Sequence, residues 1–455
     1  MTSLWICLLA TIATAHAHLL RDSNSAAKHS VSAGEALKVM FVEYNQENTV
    51  GNADTLGKIR AKMDVAKHKP DVIVVCTQES ARTTSMWSRT NGGEGESAGR
   101  RPAGYEERMF GFMLAKDLDN YEYIPGSMAK NRGMTASTFN YHGHSILAKK
   151  GLDVIVDNAG SYTKKEHKGA VWHRVTANNV VFLTGCSHLD AKSALRREDM
   201  AYHVIKRAIF DKYTTPGNNE DEKKENLANM LKAGSAGEHS ARNGMWHAVF
   251  IGGDLNYRLD AKDDDWADNT APKTRPDLVQ YLGDKTKWPL LFQQDLLNKQ
   301  SILRTTFGFT CNDPFVGAND AVQNGYAPTY KRGIGVAAKC EDFANTVNEE
   351  TAKQCFFEGN VDEELKTKGH GTEIQTGYLD RVCFAAKEGV TVKKQFDTAC
   401  EACIESDHIP IIVQYELKTT ANDVVLDDDD IGESVDATGV DATGVDATGA
   451  TGSET

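Results

Sequence analysis

The segment richest in chemistry is Ala248-Val-Phe-Ile-Gly-Gly-Asp-Leu-Asn-Tyr-Arg258, where an apolar run ends on two glycines and then presents Asp254 and Asn256. In extended chain, side chains two residues apart point the same way, and glycines let backbone approach a ligand closely. An Asp can take a proton from water while an Asn donates to an anionic oxygen, a pair suited to in-line attack on a phosphorus ester. An Asp/Asn turn closing a strand accounts for the same residues. Asp407 and His408 lie just ahead of a second apolar run, Ile409 to Val413. A carboxylate beside an imidazole can orient it or hold it protonated, and a protonated imidazole binds phosphoryl oxygen. Asn45 and Glu79 end two earlier apolar runs. Together these residues make an oxygen-rich set suited to Mg²⁺, which takes one or two carboxylates plus waters and substrate phosphate.

Such groups converge only if strand ends carry them to one place. Leu37 to Val42 reads as a buried strand ending at Asn45, Thr55 to His68 as a helix broken by Pro70-Asp71, and Val72 to Cys76 as a strand running into Gln78-Glu79. Strand, helix, strand with polar carboxyl ends is the pattern of an α/β layer structure. Further strand candidates are 144–148, 153–156, 170–176, 180–184, 247–251, 378–384 and 409–415. Ala201, Val204, Ile205, Ala208 and Ile209 recur at helical spacing, so 193–210 is expected to be an amphipathic helix packed on a sheet. The polar stretches 83–104 and 211–244 read as surface insertions.

With 455 residues, 40% of them hydrophobic and 25% charged, the chain can bury a large core as one big domain or two small ones. Net charge is −13, but the last 35 residues hold ten acidic residues and no Lys or Arg, which leaves −3 for the rest. That balance argues against general binding to a nucleic-acid backbone and leaves room for a local basic pocket. Leu4 to Thr14 is apolar and too short to span a bilayer, and Ala15-His16-Ala17 offers a cleavage site. Residues 1–17 are thus expected to be a signal peptide on a secreted protein. Eight cysteines remain after Cys7 leaves, and some should pair in an oxidising compartment. Cys76, Cys186 and Cys383 read as buried small hydrophobes, and Cys311, Cys340, Cys355, Cys400 and Cys403 as disulfide candidates. Zinc at Cys400-x-x-Cys403 is the alternative. Residues 421–455, with four consecutive Asp and three copies of Val-Asp-Ala-Thr-Gly, read as an acidic disordered tail.

Four segments, Gly253-Asp-Leu-Asn-Tyr-Arg258, Ser406-Asp-His-x-Pro410, Ala327-Pro-Thr-Tyr-Lys331 and Leu379-Asp-Arg-Val382, closely resemble signature segments of the inositol polyphosphate 5-phosphatases. The first two also fit the wider superfamily of DNase I-like nucleases and phosphodiesterases. Tyr44-Asn45, Thr77-Gln-Glu79, Lys168-Gly-Ala-Val171 and Ser187-His-Leu189 extend the resemblance over residues 37–417. It implies an α/β fold of the DNase I-like four-layer kind, a two-sheet β-sandwich flanked by helices, filling residues 37–420 after a leader at 18–36. It also implies Asn45 and Glu79 at Mg²⁺, Asp254 as the base that activates water, and Asn256 as a donor to the scissile phosphate. His408 and His188 would bind that phosphate, with Asp407 completing the cluster. Tyr330 and Lys331 match the residues that hold a 4-phosphate, with Arg332 as helper. Lys168, Lys192, Arg258 and Arg381 complete the candidate substrate-binding set, Arg381 being equally readable as a buried partner of Asp380. Lys192, His167, Thr376, Tyr378 and Ile409 depart from the family pattern, so the preferred ring phosphate stays open while every metal and base residue is kept.

The expected reaction is Mg²⁺-dependent removal of the 5-phosphate from inositol polyphosphates or phosphoinositides by a secreted monomer. No nucleic-acid partner is expected, and Ser127 to Met134 is a candidate peripheral membrane contact. One alternative is a secreted DNase I-like nuclease or sphingomyelinase-like phosphodiesterase, against which the Pro-Thr-Tyr-Lys segment and the lack of basic excess speak. The other is an inactive lipid-binding or host-interaction protein, against which the intact polar set speaks.

Overall fold

Uninterrupted apolar runs mark strands covered on both faces, and the chain builds two such sheets. A computed structural model describes residues 36–46, 53–80, 110–124, 129–132, 141–163, 168–191, 193–210, 216–235, 245–260, 275–316, 325–330, 337–357, 376–403 and 405–419. The expected signal peptide, nearly all of the leader, the 83–104 stretch and the tail lie outside the described residues, as do His167, Lys192, Lys331 and Arg332. The strands are β1 (Leu37–Asn45), β2 (Val72–Ser80), β3 (Tyr121–Tyr123), β4 (Ala129–Arg132), β5 (Tyr141–Lys149), β6 (Val154–Thr163), β7 (Gly169–Ala177), β8 (Val180–His188), β9 (Ala248–Asp254), β10 (Thr310–Cys311), β11 (Asp380–Ala386), β12 (Thr391–Ala399) and β13 (Ile411–Lys418). One sheet has the order β12-β13-β1-β2-β5-β3, with β4 also paired to β5, and the other runs β10-β11-β9-β8-β7-β6. Each holds one parallel pair, β1 with β2 and β8 with β9, among antiparallel neighbours.

Strand alternation sorts the side chains into layers. Val39, Phe41, Val74, Phe182, Phe250, Val382 and Val413 fill the space between the sheets. Met40, Val42, Ile73 and Val75 face outward, onto helices α1 (Ala53–Met63) and α2 (Phe110–Lys116). Val181, Leu183, Val249 and Ile251 face the opposite exterior, beneath helix α3 (Ala194–Ile209). Helix, sheet, sheet, helix is the four-layer sandwich expected from the sequence. Helix α3 begins at Ser193, whose side chain accepts from the Arg196 amide, and lays Met200, Ala201, Val204, Ile205, Ala208 and Ile209 on the second sheet. Fully burying a side chain such as Ile205 contributes about 1.5–3 kcal/mol.

Three expectations change. The helix expected over 55–68 breaks at Asp64, whose φ is 39°, so α1 ends at Met63. Part of the 211–244 insertion is helix α4 (Glu220–Ala233), capped by Asn219 and closed by Gly234 at φ 68°. The Asn219 to Glu222 spacing is a helix-start signature that the sequence offered. The cysteines also pair more widely than expected. Cys76 joins Cys186 and Cys383 joins Cys311, alongside Cys340–Cys355 and Cys400–Cys403. The three strand cysteines are buried, as a small hydrophobe would be, yet each faces a partner on another strand. The Cys400–Cys403 bond takes the thiolates that the zinc reading needed.

Toward one rim the inter-sheet layer turns polar, with Glu43, Gln78, His142, His144, His173 and Thr184 all buried there. Gly252 makes room for Glu43, because a Cβ at 252 would collide with the Glu43 carboxyl. Burial, reinforced by Asp380, pushes the Glu43 acid well up, so it packs as a neutral group. His144 and His173 stack with ring centroids 4.4 Å apart. Burial lowers both, His173 to about 4, and His144 is also held well down by burial with His173 beside it. Both imidazoles are therefore neutral in the fold but take protons near pH 6.5 once unfolded. Their contribution is fully present above pH 6.5 and is lost as pH falls toward 4, by about 3 kcal/mol for His173 alone. Urea melts at successive pH values should show this slope, and His173→Leu should flatten it; an unchanged slope in the variant would refute the assignment.

Candidate active site

The strands that fill the core with alternate residues carry the same alternation to their ends, where the inter-sheet positions become polar. Asn45 continues the inward face of β1, His188 that of β8 and Asp254 that of β9. Register places His188 opposite Asp254 and Asp254 opposite Asp380, so three polar side chains form a row across adjacent strands. Asn45 reaches this row from the other sheet and donates to Asp254 Oδ2 at 3.1 Å. Glu79 would face away by simple alternation. Its positive φ of 50°, at a break in the β2–β5 register, redirects it instead, and Oε1 stands 3.6 Å from His188 Nε2. Asn256 also has positive φ, 56°, a conformation that Asn tolerates better than most residues. Its amide N–H donates to Asp254 Oδ1 at 3.0 Å, and its Nδ2 donates to the Leu189 carbonyl at 3.1 Å.

Asp254 lies between two imidazoles, 3.1 Å from His188 Nε2 and 3.8 Å from His408 Nε2. Burial opposes its charge, but His188, His408 and Lys168 outweigh burial and hold the carboxyl well below the usual carboxylate range. It is thus a fixed anion, better at orienting water and imidazole than at storing a proton. Glu79 is held low in the same way: burial raises it, while His188 and Lys168 more than compensate. Burial would lower His408, yet Asp380 and Asp254 raise it to about 10. The carboxylate that orients His408 is Asp380, 2.8 Å from Nδ1, whereas Asp407 stands 3.9 Å from Nε2. Asp380 is absent from the sequence-derived site, although the Asp-Arg pair contained the signal. Ser406 was also missed. Its hydroxyl donates to the Asn45 carbonyl at 2.6 Å and accepts from the His408 amide at 3.1 Å, which pins the His408 loop to the end of β1.

Around this centre, Lys168 Nζ contacts His188 Nε2. Arg258 donates to Asn256 Oδ1 at 3.3 Å and lies 4.4 Å over the Tyr330 ring, which in turn packs 4.6 Å from His408. These contacts bring Lys168, Arg258 and Tyr330 to the cluster. Arg381 does not join it. Adjacent residues of a strand face opposite ways, so with Asp380 on the inter-sheet side, Arg381 points to the other face. There it is 1% exposed and bonds Asp295 at 3.0 Å and Asn312 at 3.1 Å. It is a buried partner of Asp295 rather than of Asp380, and it has no route to substrate. Arg381→Met strands the Asp295 carboxyl in the interior and should cost about 3–5 kcal/mol, measured by urea denaturation. A loss below about 1 kcal/mol would mean that the pair is a surface-like contact.

Asn45 and Glu79 supply one amide and one carboxylate oxygen at neighbouring ends of the parallel β1–β2 pair, and the low pKa of Glu79 keeps it charged. That hard donor set suits Mg²⁺, whose remaining ligands are water and phosphate. Among the described residues, no three His, Cys, Asp or Glu side chains converge as a metal cage.

The family described as Endonuclease/Exonuclease/phosphatase family 2 matches residues 42–343. No curated protein matches. Similar solved structures include a ferrous NO complex of Cimex nitrophorin, 13% identical with TM-score 0.47 over 84% of this chain and 99% of that chain. Another is the inositol polyphosphate 5-phosphatase domain of spSynaptojanin in complex with inositol (1,4)-bisphosphate and calcium ion, 18% identical with TM-score 0.45 over 88% of this chain and 89% of that one. A third is D. rerio TDP2 complexed with single strand DNA product, 12% identical with TM-score 0.34 over 83% and 98%.

Proposed function

Because the chain belongs to endonuclease/exonuclease/phosphatase family 2, a family of hydrolases, we propose that it is a Mg²⁺-dependent phosphoric monoester hydrolase acting on the 5-phosphate of inositol polyphosphates or phosphoinositides. The observation that carries this reading is the Asp254 carboxylate set between His188 and His408, with Asp380 behind His408. With its pKa raised to about 10, His408 is an imidazolium at neutral pH. Nδ1–H is committed to Asp380, which leaves Nε2–H to hold a phosphoryl oxygen. Asp254, anionic and fixed by Asn45 and the Asn256 amide, orients the attacking water. The second hydrogen of Asn256 Nδ2 remains to steady the phosphate. When bound at Asn45 and Glu79, Mg²⁺ would polarise the phosphoryl oxygen and acidify water. Tyr330 beside His408, with Arg258 over its ring and Lys331 and Arg332 next to it in sequence, supports a neighbouring ring phosphate as the specificity contact. Each charge-assisted contact of that kind contributes about 1.5–3 kcal/mol. Secretion, a monomeric state and a membrane contact at 127–134 belong to the same proposal.

Hydrolysis by the purified protein, with Mg²⁺ and with chelator, tests the reading. Free phosphate is followed for soluble inositol trisphosphate and micellar phosphatidylinositol bisphosphate, and ester or strand cleavage for a phosphodiester and DNA, whose hydrolysis frees no phosphate. Mg²⁺-dependent hydrolysis confined to the first two is the expected result. Turnover of DNA alone would replace it with a nuclease, and silence on all four would favour a binding protein.

A further inference from the structure

We propose that the Cys76–Cys186 disulfide is a positioning brace, which sets the span between Glu79 and His188 across the two sheets and thereby the affinity of the site for its divalent cation. The proposal rests on the hydrolase reading above. Cys76 belongs to β2 of one sheet and Cys186 to β8 of the other, 110 residues apart in sequence. Among the described residues it is the one disulfide that joins the two sheets. Glu79 follows Cys76 by three residues and His188 follows Cys186 by two, so the brace lies directly below the 3.6 Å contact between those side chains.

Its surroundings explain why a covalent link matters there. At the far end of the inter-sheet layer, Phe41, Phe182 and Phe250 hold the sheets together by apolar burial. Near the rim the layer consists of Glu43, Gln78, His142, His144 and His173, which contribute little of that cohesion. The brace is also in contact with the rest of the centre. Gln78 Nε2 rests on both sulfurs, at 2.7 Å from Cys76 and 3.4 Å from Cys186. A Cβ at Gly253, which has φ 119°, would lie 2.8 Å from that same amide nitrogen. Strand β9 therefore passes close to the Ser187 carbonyl and to Gln78 at Gly253, one residue before Asp254. A change in inter-sheet span would reach Glu79, His188 and Asp254 together.

The test compares the parent with Cys76→Ala/Cys186→Ala and, as a control, with Cys340→Ala/Cys355→Ala, whose disulfide lies in helices away from the rim. Mn²⁺ binding followed by electron paramagnetic resonance reads the site without turnover, and circular dichroism reads the fold. Supporting contacts behind a metal site typically change affinity by 10–100-fold, so the brace variant is expected to bind Mn²⁺ at least about ten-fold more weakly while the control binds as the parent does. If the double alanine protein does not fold, Cys76→Val/Cys186→Ala, which refills the sulfur volume, carries the same measurement. Equal affinity in parent and folded brace variant overturns the brace and leaves the hydrolase reading intact. Equal weakening in brace variant and control also overturns it, because the effect is then general loosening. A parent that binds no Mn²⁺ overturns the metal site, and the brace with it.

Discussion

Asp254→Ala is expected to reduce phosphate release by about 10³-fold, the upper range for removing one group that orients the nucleophile and the charged donors around it. The size follows from how much converges on this carboxylate. One oxygen takes the Asn45 amide and faces both imidazoles, and the other takes the Asn256 amide. Truncation removes the anion that would hold water and the partner that aligns His188 and His408. Asp254→Asn keeps the volume but loses the charge, and should be nearly as inactive. Both proteins should retain the parent's circular dichroism, because the apolar inter-sheet core lies elsewhere. A variant that keeps more than about a tenth of parent activity would mean that another group orients the water, and the role given to Asp254 fails.

Asp380→Asn should lower kcat by about 10²-fold at pH 8 and change the shape of the pH profile as well. Asp380 touches neither water nor phosphate in the proposed reaction; it acts through His408. The parent imidazole, raised to about 10, stays cationic across the neutral range. With the Asp380 charge gone, burial is opposed by Asp254, Asp407 and the more distant Glu79 alone, and the His408 pKa falls. The imidazolium is then lost at a lower pH, so the alkaline limb of kcat moves toward neutrality and the deficit widens as pH rises. Comparison of pH–rate profiles between roughly pH 6 and 10 checks this. Two parallel curves separated by a constant factor would show that Asp380 supports the site only sterically.

The sequence displayed the sandwich because nearly every central strand is covered on both sides. Val72 to Cys76 and Ala248 to Ile251 read as unbroken apolar runs, and the polar residues that end them are those the strands deliver to the rim. Strand β12 was not visible. Its accessible and part-buried residues alternate through Thr391-Val-Lys-Lys-Gln-Phe396, as befits a sheet edge exposed to water. Helix α4 hid for a related reason: only Leu227, Ala228 and Leu231 are buried, too narrow a stripe to stand out among charges. The Cys76–Cys186 bond is a tertiary fact, since nothing near either residue names a partner 110 positions away. Arg381 is different, because the sequence contained the correction. Adjacent residues of a strand cannot both look into one cleft, so choosing Asp380 for His408 already sends Arg381 elsewhere.

The missing side chain at Gly252 and the long one at Glu43 fill one volume between them. Each is permitted by the other: a methyl group at 252 demands a shorter neighbour at 43, and a shorter residue at 43 leaves a hole unless 252 grows. In the history of this molecule the two sites are therefore free to drift only in tandem, with small-and-large exchanged for large-and-small, and any intermediate with both bulky or both slight carries a handicap.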